Sequence, residues 1–258
     1  MKSKVLIYIV TYNHENFILK VLKRIPKYLN KKYNLQILIS DDKSKDNTLK
    51  VLEKSKKKIG KNFKIKIIST VKNLGYGGNQ KVGYKYAIKN YFDYVVLLHG
   101  DGQYAPEYID RLISKLIKTD CDAVFGSRMI KKWGALKGGM PLYKFIGNKI
   151  LTSIQNKILS ANLSEFHSGY RAYKVETLKK ISFDKNLDDY SFDTQIIIQL
   201  IFSKSRILEI SIPTYYGDEI SYVNGMKYAF QILLSTVLTK LHKIKIIKNY
   251  KTKYWVKY

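Results

Sequence analysis

Lys4 to Val10 reads KVLIYIV, an unbroken apolar run rich in β-branched residues, which is the pattern of a strand buried on both faces of a sheet. The period then changes: Phe17, Val21, Leu22, Ile25 and Leu29 recur at helical spacing after His14-Glu15-Asn16. A second strand, Leu35 to Ser40, ends in Asp41-Asp42, and Ser44 to Thr48 supplies capping residues for a lysine-rich helix reaching about Lys58. Phe63 to Val71 alternates as a strand, Asn73 to Gly78 is a glycine-rich turn, and Gln80 to Asn90 predicts the next helix. Tyr94 to Leu98 gives a fourth strand and Asp122 to Gly126 a fifth. Between them Pro106-Glu107 opens a helix with Ile109, Leu112, Ile113, Leu116 and Ile117 on one face.

Strands alternating with helices imply right-handed crossovers and a mainly parallel sheet covered on both faces. Ligands of such sheets bind at the carboxyl ends of the strands. Here those ends carry Thr11-Tyr12-Asn13, Asp41-Asp42, the glycine turn and His99-Gly100-Asp101-Gly102-Gln103. Beyond residue 130 the pattern loosens into a loop holding Gly134, Gly138 and Gly139, a helix from Tyr143 to Leu159 and a short strand at Ser168 to Tyr173. A buried helix, Phe192 to Phe202, and a last strand, Arg206 to Ile212, stopped by Pro213, complete it. With no internal repeat and no linker, the expected organisation is one domain over residues 1–216 with an extension over 217–258.

Composition excludes several classes. The 258 residues are 45% hydrophobic and 26% charged, a globular balance. The single cysteine, Cys121, forms no internal disulfide and reads as a buried strand thiol beside Ala123 and Val124. No run approaches the ~18 apolar residues of a membrane span, and Met1 to Lys4 leads into a strand rather than a signal peptide, so a cytoplasmic protein is expected. The net charge of +27 invites nucleic acid or an anionic membrane. Of the 47 basic residues, however, only Arg24, Arg111, Arg128, Arg171 and Arg206 are arginine, whereas groove readers depend on the planar guanidinium fork. Abundant lysine, asparagine, isoleucine and tyrosine are what a biased genome produces without a binding purpose, and nucleic acid is not the expected partner.

Asp101, flanked by Gly100 and Gly102 with Gln103 two residues on, could aim two oxygens at Mg²⁺ or Mn²⁺ completed by water and substrate phosphates. An ordinary Asp-Gly turn is the alternative. Asp41-Asp42 could accept bonds from ribose hydroxyls or simply cap the next helix with Ser44. The glycine turn, with Gly75 and Asn79, could pass a diphosphate along backbone N–H groups. It matches neither the dinucleotide fingerprint nor a P-loop, which sets dehydrogenases and NTPases aside.

The order of these motifs resembles the family 2 glycosyltransferases of the GT-A fold, nearest the dolichyl- or polyprenyl-phosphate branch. The resemblance runs from about Lys4 to Tyr222. It rests on Val10-Thr11-Tyr12-Asn13, on Ser40 to Thr48, on Asn73 to Gly83, on Asp101-Gly102-Gln103, on Gly126-Ser127-Arg128 and on Ser168 to Ala172. It implies a GT-A type, Rossmann-like three-layer α/β fold with a C-terminal helical extension. Thr11, Tyr12, Asn13, Asp41 and Asp42 would hold the nucleoside of a UDP- or GDP-linked sugar. Asp101 and Gln103 would hold Mg²⁺ or Mn²⁺, and Arg128 and Arg171 would face phosphates of donor or acceptor. The scarcity of arginine agrees with such roles, though structural pairing remains an alternative.

Two departures stand out. His99 occupies the place where the family's acidic motif usually begins with aspartate, and it joins the candidate cation ligands. His14 and Glu15 replace the acidic residue that usually follows the asparagine, which leaves the nucleotide's base open. The implied reaction is an inverting transfer to a polyprenyl phosphate, already anionic and in no need of a base; a glycan or other hydroxyl acceptor would need one, with Asp193 as candidate. Its alternative role is that of a helix N-terminal acid. A non-catalytic polyanion binder, or a transferase fold silenced by His99, is the reading from another class. Phe230, Leu233, Leu234, Val237, Leu238 and Leu241 form an apolar helical stripe ahead of seven lysines. The expectation is peripheral contact with the cytoplasmic face of a membrane, against a solvated tail as alternative.

Overall fold

A computed structural model describes residues 2–131, 133–216 and 225–243. In chain order the elements begin with β1 (Lys4–Thr11), α1 (Ile18–Arg24), α2 (Leu29–Lys32), β2 (Asn34–Asp41), α3 (Thr48–Gly60) and β3 (Lys64–Ser69). They continue with α4 (Gly75–Lys89), β4 (Tyr94–His99), α5 (Ile109–Thr119), β5 (Ala123–Ser127), α6 (Gly134–Lys137) and α7 (Leu142–Leu159). The last are β6 (Arg171–Lys174), α8 (Val175–Lys180), α9 (Phe192–Phe202), β7 (Ile207–Ser211) and α10 (Gly225–Lys243).

The strands form one sheet in the order β3-β2-β1-β4-β6-β5-β7. β1 lies between β2 and β4, is parallel to both and is covered on both faces, which is why its sequence is apolar at each position from Val5 to Val10 rather than at alternate ones. Val5, Ile7 and Ile9 enter one core with Leu22, Leu52 and Leu112. Leu6, Tyr8 and Val10 enter the other with Tyr84, Phe192 and Ile196. Three layers result, as the resemblance implies. The exception to the parallel rule is β6, antiparallel to both β4 and β5. Its direction brings the chain before it, rather than after it, to the ligand edge.

Register sets the site. Thr11 is paired with Asp41, and Val10 with His99, so three parallel strands end level with one another.

Several local boundaries differ from the expected ones for identifiable reasons. The first helix stops at Arg24 instead of reaching Leu29, because Ile25 precedes Pro26 and adopts an extended conformation. α3 runs to Gly60, two residues past the expected end, while its start at Thr48 closes the expected capping stretch: Ser44 is engaged by Asp41 and the Thr48 N–H donates to Asp46 Oδ1 at 2.9 Å. α10 packs on α7 and α9 and buries Ile232, Thr236 and Thr239. Of the proposed membrane-contact segment, residues 244–258 with their lysines and aromatics lie outside the described residues.

Candidate active site

A cavity of about 1120 Å³ opens at the level ends of β1, β2 and β4. Thr11, Tyr12 and His14 from the first loop line it; Asn13 does not. Asn13 sits at φ 56°, a left-handed geometry asparagine tolerates, and ties its loop to the next. Its Oδ1 accepts the Lys45 N–H at 2.8 Å, and its own N–H donates to Ser44 Oγ at 2.9 Å. Asp41 is likewise consumed locally, accepting from the Ser44 N–H at 3.1 Å and from Ser69 Oγ at 3.4 Å, and it is absent from the cavity wall. Only the second carboxylate of the pair, Asp42, reaches the wall. The geometry therefore corrects the expectation that Asn13 and Asp41 meet a nucleoside directly: they hold the loops that line the cavity.

The glycine turn also differs from expectation. Gly75, Gly77 and Gly78 are the first turn of α4, and the N–H groups expected to face a diphosphate are already bonded. Asp42 accepts the N–H groups of Leu74 at 2.8 Å and Gly75 at 3.0 Å, and the Asp188 carbonyl accepts those of Gly77 at 2.7 Å and Gly78 at 3.2 Å. A Cβ on Gly77 would lie 2.6 Å from the Leu187 carbonyl oxygen, so glycine here admits another stretch of this chain. Burial raises the Asp42 pKa against the hydrogen bonds that lower it, and its charge caps the helix N-terminus. Asn79 borders the cavity, but its amide bridges the Ser40 carbonyl at 3.1 Å and the Tyr8 hydroxyl at 2.9 Å.

His99, Asp101 and Gln103 all border the cavity. His99 Nε2 pairs with the Tyr76 hydroxyl at 3.1 Å, and its ring meets the edges of Tyr76 and Tyr104. Burial lowers its pKa, opposed by Asp101 and Asp193, which keeps the imidazole neutral at pH 7. Asp101 Oδ1 accepts the Gln103 N–H at 2.9 Å; Oδ2 has no hydrogen bond among the described residues. Among those residues no group of three or more His, Cys, Asp or Glu side chains could hold a metal ion. A closed protein cage is therefore absent there. A carboxylate on the cavity wall with one oxygen unengaged fits a hard cation that takes its remaining ligands from phosphates and water.

The two arginines part company. Arg128 borders the cavity with four N–H bonds made: Nε and Nη2 to Glu165 Oε1, Nη2 to the His167 carbonyl at 3.0 Å and Nη1 to the Tyr216 hydroxyl at 3.3 Å. Burial would lower its pKa, but Glu165 overrides this and raises it. Arg171 lies behind the wall, 1% exposed, with its fork on the carbonyls of Ser168, Asp193 and Phe166 at 2.8, 2.9 and 3.0 Å. The expectation that Arg171 faces a phosphate is corrected: it pins the loop before β6 to the start of α9. Asp193 does border the cavity. Its Oδ2 accepts the Tyr76 hydroxyl at 2.8 Å, its Oδ1 accepts Gln80 Nε2 at 3.0 Å, and Arg171 Nη1 lies 3.4 Å from Oδ1.

The far wall comes from elements that sequence patterns did not assign to the site. Tyr143, Lys144, Gly147 and Leu151 of α7 face Met226, Tyr228 and Ala229 of α10 across it. His167 Nδ1 and the Tyr228 hydroxyl, 3.0 Å apart, tie α10 to the loop before β6. Lys144, one of 42 lysines, carried no signal; Tyr76 was hidden inside the glycine turn.

The fold has solved counterparts. Mannosyl-3-phosphoglycerate synthase from Rubrobacter xylanophilus superposes with a TM-score of 0.71 at 15% identity, over 96% of this chain and 77% of that one. Glucosyl-3-phosphoglycerate synthase from Mycobacterium tuberculosis, in complex with Mn²⁺, UDP and glucosyl-3-phosphoglycerate, does so with a TM-score of 0.64 at 14% identity, over 93% and 80%. In sequence, the UDP-N-acetylglucosamine–dolichyl-phosphate N-acetylglucosaminyltransferase of Methanococcus voltae is 32% identical over 93% of this chain and 98% of its own length. A family model for glycosyl transferase family 2 matches residues 6–182, spanning β1 through α8 and the cavity's strand-end loops. The chain belongs to glycosyl transferase family 2 and is a nucleotide-sugar glycosyltransferase.

Proposed function

We propose that the protein transfers a sugar from a UDP- or GDP-linked donor to a polyprenyl phosphate at the cytoplasmic surface of a membrane, with inversion at the anomeric carbon. The observation that carries this reading is the continuity of the cavity, from the Asp101 loop at the strand ends to the gap between α7 and α10. Thr11, Tyr12, His14 and Asp42 lie at the donor end, on loops braced by Asn13 and Asp41. Mg²⁺ or Mn²⁺ held by Asp101, with Gln103 beside it, would neutralise the departing diphosphate. Arg128 lends one remaining Nη1–H from a position fixed by Glu165.

Asp193 supports a phosphate acceptor over a hydroxyl one. Both its oxygens already accept hydrogen bonds and Arg171 lies beside it, so it orients Tyr76 and the wall instead of taking a proton. An anionic phosphate needs no base. The Methanococcus voltae relative is named for UDP-N-acetylglucosamine and dolichyl phosphate, and the Mycobacterium tuberculosis structure holds UDP with Mn²⁺; both favour this reading. No helix among the described residues is long and apolar enough to cross a membrane, so a lipid acceptor would be met by surface contact.

Calorimetric titration of UDP and GDP, with and without Mn²⁺, into wild type and Asp101→Ala tests the donor half. Metal-dependent binding that Asp101→Ala abolishes is expected, and binding of neither nucleotide overturns it. Transfer of labelled sugar to polyprenyl phosphate but not to an oligosaccharide is expected for the acceptor half.

A further inference from the structure

The two helices that close the cavity bury few apolar side chains, Phe145 and Leu159 on α7 and Ile232 on α10, and turn many more outward. α7 buries Asn148, Thr152 and Gln155 while Leu142, Ile146, Ile150 and Ile154 stand 61, 47, 55 and 38% exposed. α10 buries Thr236 and Thr239 while Met226, Phe230, Leu234 and Val237 stand 85, 68, 45 and 39% exposed. In both helices the exposed side chains recur at three or four residues, a continuous apolar stripe on each. Polar side chains of the inner faces meet, Gln155 Nε2 donating to Thr236 Oγ1 at 3.3 Å. Scattered exposed leucines need no explanation, but two adjoining stripes over buried amides and hydroxyls mark a surface built to be covered.

Charge selects what covers it. α7 and α10 contain no aspartate or glutamate, yet Lys144, Lys149 and Lys157 lie on the first and Lys227 and Lys240 on the second. A second copy of this chain would set like charges against one another at the contact. An anionic lipid surface would accept both the apolar stripes and the cations. The stripes also reach the site: Tyr143 and Met226, 72 and 85% exposed, belong to the cavity wall.

We propose that α7 and α10 together form a docking face for an anionic bilayer, seating the cavity mouth at the headgroup level so that a lipid phosphate enters between them. This rests on the polyprenyl phosphate reading for its purpose, but not for the binding itself. The test is flotation of the full chain with vesicles of phosphatidylglycerol and phosphatidylcholine, free of acceptor, for wild type, Ile146→Glu/Ile150→Glu, and a charge-matched control, Lys54→Gln/Lys57→Gln, on α3. Wild type and control should float, and the α7 variant should bind at least about tenfold more weakly. The α7 variant should keep wild-type melting behaviour and wild-type transfer to a short, water-soluble prenyl phosphate, yet lose transfer to long-chain acceptor in vesicles. Flotation of the α7 variant equal to wild type, no flotation of wild type, or a wild-type dimer in ultracentrifugation that the variant dissolves would each overturn the proposal. Vesicle binding without transfer to any prenyl phosphate would instead overturn the acceptor assignment alone.

Discussion

Replacing Glu165 with glutamine changes one oxygen to an amide and removes one charge, yet its expected cost is large. Glu165 is 2% exposed and its partner Arg128 is 6% exposed. Oε1 accepts from Arg128 Nε, from Arg128 Nη2 and from Asn148 Nδ2, while Oε2 accepts the Arg128 backbone N–H at 2.7 Å. Every neighbour is a donor, so the new NH₂ faces a donor whichever way the amide turns, and the guanidinium is left buried without its counter-charge. Removing one partner of a buried pair costs about 3–5 kcal/mol, which for a chain of this size lowers Tm by roughly 10 °C. Urea denaturation of wild type, Glu165→Gln, Arg128→Met and the double variant measures it. The double variant should regain at least about 1 kcal/mol over Glu165→Gln, because the orphaned charge is gone. A Glu165→Gln protein within about 1 kcal/mol of wild type, or a cycle with no coupling, would refute this account of how Arg128 is held.

Arg171→Lys should destabilise the fold by about 2–4 kcal/mol, since an ammonium cannot reach three carbonyls at once. Nucleotide affinity of the molecules that remain folded should be unchanged; calorimetry at low temperature showing weaker binding with an intact fold would return Arg171 to the ligand site. Burial pushes the His167 pKa down to about 4 from its ordinary 6.5. The unfolded chain therefore binds more protons between those values, so stability is complete above pH 6.5 and falls as pH drops, by about 2 kcal/mol at pH 5. His14 and His99 are lowered by burial in the same direction. Denaturation midpoints at pH 7.5 and 5.0 for wild type and His167→Gln check this: the variant should lose less, and equal losses would exclude His167 as a source.

The sheet was legible because burial on both faces writes itself into sequence: β1 and β4 are apolar at nearly every position, and α9 reads correctly from Phe192 to Phe202. The strand-end rule then located the cavity from four loops. Roles inside those loops were harder to read, because the same residue type serves a ligand or a neighbouring segment. Asp41 and Asp42 are adjacent and identical, yet only register decides which one borders the cavity. Arginine scarcity marked Arg128 and Arg171 equally, since a site needing a planar fork for carbonyls selects arginine just as a phosphate does. Glu165 left no trace, standing alone at the end of a lysine-rich stretch. Periodicity found the stripe of α10 but is silent about which face meets the core, and the face that does carries Ile232, Thr236 and Thr239 instead of the stripe.

The clasp between the glycine turn and Asp188 has a mechanical consequence. The Gly77 and Gly78 N–H groups hang on one carbonyl, Lys81 Nζ reaches the Asp188 carboxylate at 2.7 Å, and Tyr76 stacks on Tyr190. The start of α4 and the stretch before α9 are thereby riveted across more than a hundred positions of chain. A jaw that opened at either one would have to drag the other along, so this side of the cavity moves as one body or not at all.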